Sequence, residues 1–117
     1  MEDNLISLLE SLGYPVMRQG SLGENQAYPD TFLTFWCNSD DGHSFYDDET
    51  VSAVSEFSVF CYSTSPSLAY SVLDSARALL KQNGWIITQR GADAASDEIT
   101  HIGRQMSVQY LLYANNL

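Results

Sequence analysis

Apolar residues return along this chain with two different periods, and the switches between them divide it into seven segments. Leu5, Leu8, Leu9 and Leu12 recur at intervals of three and four, which places them on one face of a helix over residues 4–12. Gly13 and Pro15 then stop that helix. Residues 16–19 read as a short strand, and residues 20–29, mixing glycine, polar residues and Pro29, read as a loop. Residues 30–38 are dense in aromatic and β-favouring side chains, the composition of a strand. An acidic loop over 39–48 follows, with Gly42 as its turn residue. A long strand then covers residues 51–62, whose Phe57, Val59 and Cys61 alternate onto one face.

The second helix announces its own ends. Residues 63–65 supply a small hydroxyl cap, and Pro66 fits the first helical position, where a missing N–H costs nothing. Ala69, Val72, Leu73, Ala76, Leu79 and Leu80 form its apolar stripe, with Asp74, Arg77 and Lys81 expected on the opposite face. Asn83-Gly84 ends it, a strand begins at Trp85 and runs to residue 89, residues 91–97 read as a turn, and residues 99–113 form the last strand. Ile102, Met106, Val108, Tyr110 and Leu112 share one face of that strand. The order α-β-β-β-α-β-β predicts a single α+β domain over residues 1–117. Its antiparallel sheet, of strands of mixed length, carries both helices packed on one face and projects hairpins at 31–62 and 85–113.

Charge adds an orientation to this plan. The 117 residues hold 15 acids and 5 bases, a formal net charge of -10. Up to residue 60 eleven acids face a single base, Arg18, which accounts for the whole net charge; the remainder carries four of each sign. Phosphate neutralisation needs clustered Lys and Arg, so the balance excludes a sequence-specific nucleic-acid reader and a polybasic membrane-surface protein. No apolar stretch has the length of a membrane span, and no basic segment followed by an apolar core suggests a signal peptide.

Candidate chemistry is sparse. Setting Gly42 at the sixth position of an EF-hand loop puts Cys37 and Ser39 where acids are needed, so that pattern fails. A looser cation site of Asp40, Asp41, Asp47 and Asp48 ranks below a solvated or partner-facing loop. His43 and His101 lack metal-ligand spacing, and hydrogen-bonded or surface histidine is the better reading. Cys37 and Cys61 read as buried apolar thiols. Neither a GxSxG elbow nor a Gly-rich phosphate cradle occurs. The expectation is therefore no catalytic, cofactor or metal residues. The fourteen aromatics leave two readings open. Tyr14, Tyr28, Trp36, Phe45, Tyr46 and Tyr113 either cap the ends of the sheet or belong to an interface.

Several local patterns resemble the tail terminator or tail-completion (minor tail) proteins of tailed bacteriophages. They are LLESLGYPV at the first helix, YPDTFLTFW, the Phe45-Tyr46-Asp47-Asp48 loop, FSVFCYS, the helix AYSVLDSARALLKQNGW, and the closing THIGRQMSVQYLLY. The resemblance spans nearly the whole chain, through structural patterns and not catalytic signatures. It implies a non-enzymatic ring, hexameric, that caps the tail tube in the virion after assembly in the host cytoplasm. Such a ring ends tube polymerisation and offers a docking face to the head connector. Its partners would be copies of itself, tail tube protein and connector protein, with DNA passing through unheld and no membrane involved. On that reading Asp40, Asp41, Phe45, Tyr46, Asp47, Asp48, Glu49, Arg77 and Lys81 are the candidate partner-binding residues. Two alternatives stand beside it. One is a head–tail joining or minor capsid protein. The other is an acidic inhibitor, a DNA mimic or immunity protein, which the bunching of six acids between residues 40 and 56 fits poorly.

Overall fold

A computed structural model describes residues 2–19, 27–41, 51–96 and 98–113, with the side chains of 39–41, 51–53, 112 and 113 left aside. The elements are α1 (Glu2–Glu10), β1 (Val16–Arg18), β2 (Thr31–Asp41), β3 (Val51–Ser63), α2 (Pro66–Gln82), β4 (Ile86–Ala94) and β5 (Ile102–Tyr113). Both the α+β class and the element order are those expected.

The five strands form one sheet in the order β1-β2-β3-β5-β4. Three of its pairings are antiparallel, but β1 runs parallel to β2, with Val16 beside Leu33, so the sheet is mixed. Parallel neighbours need a connection of about a dozen residues, and residues 19–30 supply that length, which a reading by consecutive strands overlooks. Beyond β3 the chain crosses through α2 to β4 and returns as β5 between the two, a split β-α-β arrangement. This crossover lays α2 along the sheet.

Strand alternation decides which side α2 covers. Leu33 and Phe35 of β2, Phe57, Val59 and Cys61 of β3, and Met106 and Val108 of β5 lie side by side in register and are all buried. Against them pack Leu5 and Leu9 of α1 and Val72, Leu73, Ala76 and Leu80 of α2. A fully buried leucine contributes about 2 kcal/mol. Packing therefore holds these helices, since a helix as short as α1 is marginal alone.

Local chemistry sets the ends of α2. Ser65 is extended (φ -107°, ψ 115°) and its hydroxyl accepts from the Leu68 N–H, with Pro66 next. At the other end the N–H of Gly84 donates to the Lys81 carbonyl and that of Trp85 to the Leu80 carbonyl. This is the paired closure of a Schellman motif, and Gly84 permits it by adopting φ +89°.

Most ends fall within two residues of the sequence reading, and three strand boundaries differ by more. β2 continues through Asp41, pairing Asp40 with Ser55 and Asp41 with Val54 after a register shift between Cys37 and Ser39. Asp40 and Asp41 therefore lie on a strand and not in a loop. β4 runs on to Ala94 through two register shifts, between Ile87 and Gln89 and between Gln89 and Ala92. Bulges of this kind erase the alternation that marks a strand, so 91–94 looked like a turn. β5 begins only at Ile102, because residues 98–100 form the turn that precedes it and Ile99 is fully exposed.

The face away from the helices is mostly polar. Trp36 stands half-exposed there, in a row with Ser58, Ser107 and Gln89. At one end, however, Phe32 and Tyr62 are buried and stacked at 5.3 Å, under Tyr28 and His101. His101 Nε2 lies 2.8 Å from the Pro29 carbonyl, which can only accept, so Nε2 carries the proton. His101 is thus a hydrogen-bonded histidine, as expected. Tyr28 caps one end of the sheet and Tyr14 packs against the main core.

Candidate interaction surface

Two features of opposite sign stand out. The first is an arm. β2, β3 and β5 continue past the level where Ile86 opens β4, the row that joins Ile86, Gln109, Glu56 and Ser39. Beyond it β2 pairs with β3 as far as Asp41 opposite Val54, and β3 pairs with β5 up to Val51 opposite Tyr113. The molecule measures 48 × 26 × 22 Å, and its radius of gyration of 15.0 Å exceeds the roughly 13 Å of a compact chain this long. Asp40 and Asp41 close β2 on this arm. Phe45, Tyr46, Asp47, Asp48 and Glu49 lie outside the described residues.

The second is a groove of about 640 Å³ between α2 and β4, lined by Asp74, Arg77, Ala78, Lys81, Trp85, Ile86, Ile87 and Arg90. α2 delivers Asp74, Arg77, Ala78 and Lys81 at helical spacing, and the small Ala78 leaves the space open. The Schellman closure turns the chain sharply, so Trp85 and Ile86 enter directly after the helix. Arg77 is not on the far face of α2. Its Nη1 donates to the Arg90 carbonyl at 2.9 Å and its Nη2 to Asp74 Oδ1 at 2.6 Å, making it a strut from helix to strand. Its side chain is accordingly only 20% exposed.

The remaining cations divide in an informative way. Arg18 pairs with Glu2 at 2.7 Å and Arg104 with Asp93 at 2.9 Å. Among the described residues Lys81 and Arg90 form no ion pair, and both line this groove. It thus presents two positive charges, uncompensated among the described residues, over an apolar floor on a chain of net charge -10. Arg90 was missed by sequence reasoning, since nothing near it in sequence announces a site; only the helix–strand crossing brings it to Arg77.

A hollow of about 550 Å³ lies at the other end of the sheet, around Tyr70, Asp93, Glu98, Ile99 and Ile102. Arg104 stacks beneath it, its guanidinium carbon 4.4 Å from the Tyr70 ring centre. Leu68, Tyr70, Ile99 and Ile102 give this end exposed apolar surface.

Burial pushes the Cys61 thiol up to about 12, so it stays protonated at neutral pH and is a poor nucleophile. Among the described residues no three His, Cys, Asp or Glu side chains converge as a metal site, and no helix is long and apolar enough to cross a membrane. No family model matches the chain, and no curated protein matches it.

Proposed function

We propose that this chain is a non-enzymatic assembly subunit, a tail terminator that forms a ring, six-fold by resemblance, on the end of a phage tail tube. The observation that carries the reading is the polarity of the molecule. One end is an arm of β2, β3 and β5 bearing acids, the other is apolar at Leu68, Tyr70, Ile99 and Ile102, and the flank between them carries Lys81 and Arg90, which form no ion pair among the described residues. Unlike surfaces on one subunit favour head-to-tail contacts, which generate a ring when the rotation closes. The apolar end suits an assembly partner such as tube protein, and the acidic end a basic connector or a passage through which DNA slides without sticking.

The test is to polymerise tail tube protein with and without this chain and inspect the products by electron microscopy. The expected result is a ring at one end of each tube and an arrest of elongation. Tubes that stay uncapped and grow to the same lengths would remove the reading.

A further inference from the structure

We infer that the α2–β4 groove is the receptor for the acidic arm of a second copy of this chain. This rests on the self-assembling reading above and adds to it the surface and the chemistry of the contact. The groove has an apolar floor beside the buried Trp85, of which association would dry Ile86 and Ile87, and a rim with two cations, Lys81 and Arg90, that form no ion pair among the described residues. An occupant must therefore be acidic and partly apolar. The chain supplies such a segment itself. β2 closes on Asp40-Asp41, Glu56 sits on β3 across the ladder from Ser39, and Asp47, Asp48 and Glu49 follow in sequence beside Phe45 and Tyr46.

Geometry favours a neighbour over the same chain. The arm leaves the sheet at the level of Ile86 and runs on away from the groove, with β5 between β3 and β4. The groove, meanwhile, opens on the flank between α2 and β4. Arm and groove are different surfaces, so each copy can give one contact and receive another. Such a contact is heterologous, and it makes a ring when the rotation from copy to copy closes. Arg77 serves it as a positioning residue, since it holds helix and strand at the width of the groove through Arg90 and Asp74.

Sedimentation velocity of the purified chain, without tube protein, tests this with two variants. K81E/R90E reverses the groove, and D40K/D41K removes most of the arm's charge, leaving four of its six acids against two new lysines. The wild type is expected to self-associate with rising concentration and to dissociate as salt is raised. Each variant alone should associate about tenfold more weakly or worse, with its circular dichroism unchanged. Mixed in equal amounts the two variants should associate again, because the unchanged arm of the first meets the unchanged groove of the second. A wild type that stays monomeric at millimolar concentration would overturn the inference, as would variants that associate like wild type or a mixture that gains nothing. The outcome is separable from tube capping. Charge-dependent association by a protein that never caps tubes would remove only the tail reading. Capping by rings indifferent to these substitutions would remove only the groove.

Discussion

The indole Nε1 of Trp85 donates to Oδ1 of Asn4 across 3.2 Å, tying the first turn of α1 to the residue that opens the groove. Trp85 is buried, edge-on to Phe57 at 5.9 Å and to Tyr110 at 5.2 Å. Asn4→Ala leaves a part-buried donor without this partner and should cost about 1 kcal/mol. Trp85→Ala also empties a core site and should cost about 3–5 kcal/mol. Urea midpoints at unchanged slope would measure both. Equal losses would mean that the hydrogen bond, and not the packing, dominates here.

Tyr62 lies over Gly103, its cross-strand partner. A Cβ at residue 103 would stand 2.8 Å from the Tyr62 ring and 2.8 Å from the Ala94 carbonyl oxygen. Gly103→Ala should destabilise by about 1–3 kcal/mol. Adding Tyr62→Ala removes only one of the two clashes, so the pair should fall short of additive, and a double-mutant cycle in urea reads the difference.

Arg104 has two partners of unequal worth. Asp93 is 86% exposed, so its ion pair is screened and should contribute about 0–1 kcal/mol. Tyr70 covers the guanidinium face at 4.4 Å, and Tyr70→Ala should cost about 1 kcal/mol or more. Thermal denaturation at low and high salt separates them. The Asp93→Ala effect should shrink with salt, and the Tyr70→Ala effect should persist.

Cys61 makes stability depend on pH on the alkaline side. Its folded pKa, about 12, lies above the ordinary 9.0. The contribution is therefore complete below pH 9 and is lost as pH rises through the folded value, because the unfolded chain releases the proton first. The slope attributable to this thiol approaches about 1.4 kcal/mol per pH unit. Cys61→Ala should be less stable at pH 7 and flatter above pH 9 in denaturant titrations. Equal slopes in the two proteins would refute the assignment.

How far the sequence could be read depended on whether neighbours or distant strands decide. Ser65, Pro66, Asn83 and Gly84 fix α2 by local capping chemistry, and the alternation of Phe57, Val59 and Cys61 fixed the buried face of β3. Asp40 and Asp41 disfavour strand locally, yet their pairing with Ser55 and Val54 holds them in β2. The bulges around Gln89 hid the second half of β4, and with it the strand position of Arg90. Of the candidate site, Arg77 and Lys81 were visible as helix charges. Their pairing states were not, because Arg77 is committed by a carbonyl thirteen residues away.

The outer strands of the sheet bear on how this protein behaves when concentrated. β1 offers only three residues for pairing, and β4 changes register twice along its length. Neither is a long, regular template on which another chain could add a strand, the route by which exposed sheets coalesce into fibrils. At these two strands the backbone is therefore guarded, and among the described residues the pairing edges left open are those of the arm, on β2 past Phe35 and on β5 past Gln109.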